Sequence, residues 1–123
     1  MQFNRETTAA NVIAAWEPGR IRIADRWVSG HVIVAADRVV EDWRVASPEG
    51  VALADLEAAI ALEPAIVVLG TGHAITWPDV DLMDALARLG IGLEIMSTPA
   101  ACRTYNVLVH EHRRVVAALY NAP

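Results

Sequence analysis

Four consecutive apolar residues, Ile66 to Leu69, follow Pro64 and end at the sequence Gly70-Thr71-Gly72. An unbroken apolar run of this length is typical of a strand whose two faces are both covered, because a strand with one face in water alternates apolar and polar residues. Other elements of the fold must then cover both sides of this strand. The run therefore favours an α/β fold.

The segment after this strand alternates between helical and extended patterns. The predicted elements are a helix over residues 78–89, a strand over 93–96, a helix with Thr98 as N-cap and Pro99 as first helical residue that extends to about Glu111, and a strand over 115–120. With the strand at 66–69 they form a C-terminal βαβαβ unit, which favours right-handed crossovers and at least one parallel strand pair.

The first half of the chain is rich in β-branched residues between Ile21 and Val45, interrupted by Gly30 and Asp37-Arg38. These short runs predict an N-terminal β-meander, either as antiparallel strands of the same sheet or as a second small sheet. A short amphipathic helix is predicted over residues 54–62. With 123 residues, of which 54% are hydrophobic, the chain has the size of a single domain, residues 1–123.

The charge composition narrows the classes of partner. Fifteen acidic residues stand against ten basic ones, all of them arginine, for a net charge of -5. An acidic chain without a basic stripe argues against nucleic acid as a partner. The absence of lysine excludes Schiff-base chemistry and a lysine general base.

The rest of the composition argues against a metal site and against insertion into a membrane. Cys102 is the single cysteine, and His110 and His112 diverge on a helix, so we expect no disulfide, metal or cofactor. The longest uncharged stretch is too short and too interrupted for membrane insertion, and the N-terminal residues lack the pattern of a signal peptide. We expect a cytoplasmic protein.

Several motifs of the second half together resemble the Mth-domain family. They are Gly70-Thr71-Gly72, the run from Gly90 to Met96, Thr98, the run from Ala101 to Leu108, and then Glu111 and Arg113. The family includes an adipogenesis-associated Mth domain-containing protein and, more distantly, a mitochondrial complex I assembly factor. The resemblance implies a three-layer α/β fold with a mixed central sheet and an assembly-type role related to respiratory complexes, but it implies no reaction.

One candidate ligand site lies between the Gly70-Thr71-Gly72 loop and the helix that begins at Thr98, whose first turn carries no carboxylate and could hold a small anion. The candidate residues of this cleft are Gly70, Thr71, Gly72, Glu94, Thr98, Arg103 and Asn106. For the loop we favour a tight structural turn, and for Glu94 and Arg103 a buried ion pair between strand and helix. Cys102 is either a nucleophile with a lowered pKa or a buried apolar residue, and we favour the latter.

Two functions are compatible with these patterns. The favoured one is a non-catalytic protein-interaction or assembly domain that works through an apolar surface of the β-rich half. We expect most of the four tryptophans in the core, but tryptophan is also enriched at interfaces; they are Trp16, Trp27, Trp43 and Trp77. The alternative is a small-molecule or anion-binding protein or enzyme that uses the cleft. No complete set of acid, base and nucleophile is visible, so an enzyme is the weaker interpretation and no catalytic residue is assigned.

Overall fold

The computed structural model describes residues 9–123. Its strands are β1 (Ile13–Glu17), β2 (Arg20–Ile23), β3 (Arg26–Ser29), β4 (Val32–Ala35), β5 (Arg38–Glu41), β6 (Ile66–Gly70), β7 (Gly92–Met96) and β8 (Val115–Leu119). Its helices are a 3-10 turn (Leu53–Leu56), α1 (Glu57–Ile60), α2 (Leu82–Ala87) and α3 (Thr98–His110).

A mixed five-stranded sheet with the order β5-β4-β8-β6-β7 forms the centre of the fold. Strand β6 pairs in parallel with both β7 and β8, whereas β4 pairs antiparallel with β8 and β5. Strands β1, β2 and β3 form a separate antiparallel sheet in that order. The parallel pairs come from the two helical crossovers, and the antiparallel pair of β4 and β5 is a short hairpin, whereas β4 and β8 pair although they lie far apart in the chain.

Both faces of the central sheet are buried. Val68, Ala117 and Leu119 point into a core shared with α3 and the three-stranded sheet. Val67, Leu69 and Val116 point into a second core under α1 and α2. Successive residues of a strand face opposite sides, so the apolar run at Ile66 to Leu69 serves both cores. The fold is a three-layer α/β arrangement, as predicted.

The structure corrects several boundaries. The β-meander divides between both sheets, because β1, β2 and β3 form the small sheet while β4 and β5 join the central one. Strand β1 was not predicted. The predicted helix at 78–89 is confined to α2, and the helix at 54–62 is a 3-10 turn followed by α1. Ser97 occupies the N-cap of α3, so Thr98 is its first residue and not its cap.

No helix within residues 9–123 combines the length and the apolar character that a bilayer crossing requires.

Candidate functional site

The hydroxyl of Thr98 joins the start of α3 to two other segments. It donates a hydrogen bond of 2.6 Å to the carbonyl oxygen of Tyr120, and it accepts one of 2.8 Å from the backbone N–H of Gly72. The N–H of Thr98 in turn donates to the carbonyl oxygen of Gly72 at 2.8 Å. Thr98 is fully buried. It therefore ties the glycine loop, the helix and the end of β8 together.

Gly70 lies so close to Thr98 that no larger residue fits. A Cβ at position 70 would stand 2.9 Å from Oγ1 of Thr98 and 3.0 Å from its Cα. Gly72 has a φ of +103°, which L-residues rarely adopt. The two glycines thus serve a tight turn and a close helix approach.

Thr71, which lies between the two glycines, is also buried, and its hydroxyl is engaged in hydrogen bonds within the fold. Its hydroxyl contacts the carbonyl oxygen of Ala74 at 2.8 Å and that of Met96 at 3.2 Å, and it accepts a hydrogen bond of 2.9 Å from the N–H of Thr76. The loop after β6 is consequently closed by its own hydrogen bonds.

These contacts bear directly on the anion hypothesis. An anion at a helix N-terminus is held by N–H groups that have no other acceptor. Here the amides of Gly72 and Thr98 are bonded within the turn, and Pro99 has no N–H. The geometry of the described residues therefore fits a structural turn whose amides are already engaged.

Asn106 binds the edge of strand β1. Its Oδ1 accepts a hydrogen bond of 2.9 Å from the N–H of Ile13, and its Nδ2 donates one of 2.9 Å to the carbonyl oxygen of Ile13. The side-chain amide thereby satisfies the two backbone groups of Ile13 as a neighbouring strand would. Asn106 thus joins the helix to the small sheet.

The predicted buried pair between Glu94 and Arg103 is wrong. Both residues are exposed, and no ion pair between them is present among residues 9–123. Glu94 lies on the outermost strand of the sheet, and Arg103 borders a cleft of about 260 Å³ between α3 and β1. Helical spacing placed Arg103 and Asn106 on one face of α3. It does not reveal which strand that face contacts, and in the structure the strand is β1 and not β7.

Cys102 is a buried apolar residue, as favoured. Burial raises the pKa of its thiol to about 12, the opposite of the shift that a nucleophilic cysteine needs. Within the described part of the chain, no group of three His, Cys, Asp or Glu side chains could hold a metal.

Asn121 is a structural residue that the sequence patterns did not single out. It is only 2% exposed, and its Oδ1 accepts a hydrogen bond of 2.9 Å from the indole N–H of Trp16. Its backbone N–H donates to Nδ1 of His31 at 2.8 Å, and the His31 ring stacks on Tyr120 with ring centroids 4.2 Å apart. The only sequence signal for this cluster was a polar residue two positions after the end of the apolar strand β8.

Most of the large exposed apolar side chains lie outside the β-rich half, in which Trp27, at 37%, is the only one among the described residues. Trp16 is half-buried, Trp43 is buried, and Trp27 is covered by the guanidinium of Arg20 at 4.0 Å from its ring centroid. By contrast Trp77 is 66% exposed, Val80 90% and Met83 54%. Together with Ile95 these three residues line a groove of about 300 Å³, which we call the Trp77 surface.

The backbone under the Trp77 surface is held in place. The N–H of Asp79 donates to the carbonyl oxygen of Val51 at 3.0 Å, and the N–H of Gly50 donates to that of Trp77 at 3.4 Å. Leu82 and Leu86 bury the inner side of α2, which turns Met83 outward. The Trp77 surface is therefore held in one arrangement by contacts within the fold.

Comparisons with known proteins agree with the fold. The chain is 32% identical over 123 residues to the zebrafish (Danio rerio) NADH dehydrogenase [ubiquinone] 1 alpha subcomplex assembly factor 3, covering 98% of this chain and 70% of that protein. A Bordetella parapertussis protein of known crystal structure is 33% identical with a TM-score of 0.85, over 94% of this chain and 99% of the other.

A solution structure of a Bordetella pertussis protein, described as a Mth938-like domain, is 26% identical with a TM-score of 0.72, over 98% of this chain and 92% of the other. The model of the family described as "Protein of unknown function (DUF498/DUF598)" matches residues 13–120. These matches confirm the resemblance, and the chain belongs to the DUF498 family, with a Mth938-like fold.

Proposed function

We propose that this protein is a non-catalytic assembly factor that binds a protein subunit through the Trp77 surface, and that the complex it helps to assemble is a respiratory NADH dehydrogenase. The exposed, preorganised Trp77 surface carries the proposal. The relatives that bear the name of an assembly factor for NADH dehydrogenase support the choice of complex.

The composition of the surface fits a protein partner. Tryptophan and methionine are enriched at protein interfaces, and a buried tryptophan is a frequent source of binding free energy. Trp77, Val80 and Met83 contribute little to the core, because all three are mostly exposed. Their apolar surface would be removed from water only in a complex, at about 25 cal/mol per Å².

The alternative function, binding of a small molecule or anion between the Gly70-Thr71-Gly72 loop and α3, has no observation in its favour. The loop amides are engaged within the fold, and Arg103 and Asn106 lie towards β1. We therefore advance one function only.

A gene deletion in the native host tests the proposal. We expect the deletion to lower the amount of assembled NADH dehydrogenase on native gels and the NADH oxidation rate of isolated membranes. The parent protein should restore both. The double variant Trp77→Ser/Val80→Ser should fail to restore them while keeping the parent's melting temperature.

Val107→Ser is the matched control, because Val107 is also exposed, at 57%, but lies on α3. It should restore assembly like the parent. An unchanged level of assembled enzyme in the deletion strain would contradict the assembly role. Full rescue by the double variant would contradict the role of the Trp77 surface.

A further inference from the structure

Strand β7 presents an open hydrogen-bonding edge. It is the last strand of the central sheet. Its inner side bonds to β6 and the turn after it, because the N–H of Gly92 donates to the carbonyl oxygen of Ala65 at 3.0 Å and the carbonyl oxygen of Met96 accepts from Thr71 at 3.0 Å. Backbone groups alternate in direction along a strand, so those of Leu93 and Ile95 point outward. Within residues 9–123 no residue hydrogen-bonds to these outward groups.

The opposite edge of the sheet is protected in a way that β7 is not. Strand β5 carries Arg38 and Glu41 at its ends, and the carboxylate of Glu41 is 2.9 Å from the guanidinium of Arg26 on the small sheet. Charged residues and covering elements are common protections of an edge strand. Strand β7, with the sequence Gly-Leu-Glu-Ile-Met, has one charged side chain, Glu94.

The open edge adjoins the Trp77 surface. Ile95 belongs to both, because its backbone points outward and its side chain lines the groove with Trp77 and Met83. Glu94 points to the opposite face of the sheet. A strand added to β7 would therefore place alternate side chains over the Trp77 surface and the others beside the carboxylate of Glu94.

A second copy of this chain is a poor occupant. Antiparallel pairing of two β7 strands through Leu93 and Ile95 would set the two Glu94 residues directly opposite each other. Like charges in that position are destabilising, and each chain carries a net charge of -5. The charge instead suits a strand with a basic residue opposite Glu94.

We propose that β7 receives an extended segment of the partner protein, in which apolar and basic residues alternate, by β-strand addition. The inference rests on the proposed function in one respect, namely that the occupant of the edge is a protein. Main-chain hydrogen bonds to Leu93 and Ile95 supply the affinity of such a complex, and the Trp77 surface and Glu94 supply its specificity.

Synthetic peptides test the inference on the purified chain. The probe is a short peptide of alternating valine and arginine, and its control alternates valine and glutamate. The first should shift the amide resonances of Leu93 and Ile95 and slow their hydrogen exchange roughly tenfold or more. The second should do neither. Equal effects of both peptides, no effect of either, or effects confined to other surfaces would overturn the proposal.

Charge variants sharpen the test. Glu94→Arg should weaken binding of the valine-arginine peptide about tenfold or more and should allow the valine-glutamate peptide to bind. Glu111→Arg makes the same charge change at an exposed position at the end of α3 and should leave the binding unchanged. Both residues are exposed, so neither change disturbs the core. Equal weakening by the two variants would mean that net charge alone attracts the peptide, which contradicts the proposal.

The outcomes separate this inference from the proposed function. Failure of the peptide experiments, combined with loss of NADH dehydrogenase assembly in Trp77→Ser/Val80→Ser, would leave the assembly role intact and remove strand addition. Success of the peptide experiments, combined with normal assembly in the deletion strain, would support strand addition and contradict the assembly role. A parent protein that sediments as a dimer, and whose Leu93 and Ile95 amides are already protected, would identify a second copy as the occupant and overturn the proposal.

Discussion

The hydroxyl group of Thr98 lies 2.6 Å from the carbonyl oxygen of Tyr120, to which it donates a hydrogen bond across the end of the central sheet. The hydroxyl oxygen of Thr98 also accepts a hydrogen bond from the N–H of Gly72. One buried side chain thereby satisfies two backbone groups that belong to different strand ends. The glycine loop that resembles part of a ligand site is consequently a structural junction.

Replacing Thr98 should show how much this junction contributes to the free energy of unfolding. Thr98→Val keeps the shape but removes the hydroxyl, so the N–H of Gly72 and the carbonyl oxygen of Tyr120 lose a partner. We expect a loss of about 1 to 3 kcal/mol in the free energy of unfolding, measured by urea denaturation. Thr98→Ser retains the hydroxyl and should lose clearly less. Equal losses for the two variants would mean that the methyl group contributes as much as the hydroxyl, which would contradict a dominant role of its hydrogen bonds.

The close approach of Gly70 to Thr98 predicts a different response from two glycines of the same sheet. Gly70→Ala places a Cβ 2.9 Å from Oγ1 of Thr98 and should cost about 1 to 3 kcal/mol. At Gly92 a Cβ would meet nothing nearer than 3.7 Å, so Gly92→Ala should be neutral or slightly stabilising. Thermal melts of the two variants check the contrast, and a neutral Gly70→Ala would refute the packing argument.

His31 should make stability depend on pH. Burial lowers its pKa from the ordinary value of 6.5, and its Nδ1 can accept the N–H of Asn121 only when that nitrogen carries no proton. The unfolded chain therefore binds a proton more readily than the folded one. This contribution to stability is complete above about pH 6.5 and decreases as the pH falls from there towards the lowered pKa of the folded state.

A variant isolates that contribution. His31→Asn keeps an acceptor oxygen close to the position of Nδ1 but does not titrate. We expect the melting temperature of the parent to fall further than that of His31→Asn when the pH is lowered from 7.5 to 5.5. This range extends roughly one unit on either side of the ordinary histidine pKa. The other three histidines are present in both proteins and cancel in the comparison. Parallel pH profiles would show that His31 contributes nothing.

Arg103 should be of little importance for stability. The sequence suggested a buried pair with Glu94, whose rupture would cost about 3 to 5 kcal/mol, but Arg103 is exposed at the border of the cleft beside β1. Arg103→Ala should change the free energy of unfolding by no more than about 0.5 kcal/mol. A loss of several kcal/mol in chemical denaturation would contradict the exposed position and restore the buried pair.

Local patterns were enough to predict much of the architecture. The apolar run at Ile66 to Leu69 identified a strand buried on both faces, because continuous apolar character is a property of neighbouring residues. The spacing of the later elements predicted the parallel crossovers, and Gly70 and Gly72 marked the turn after β6. The quoted motifs identified the family.

The tertiary structure decided what the side chains contact. Helical periodicity placed Arg103 and Asn106 on one face of α3, but only the packing of α3 against β1 showed that Asn106 bonds to Ile13 and that Glu94 lies elsewhere. The strand order is likewise a long-range property, so the open edge of β7 and its contact with Trp77 could not be derived from local sequence. Apolar residues predict burial on average, and only the folded chain shows that Trp77, Val80 and Met83 remain exposed to water.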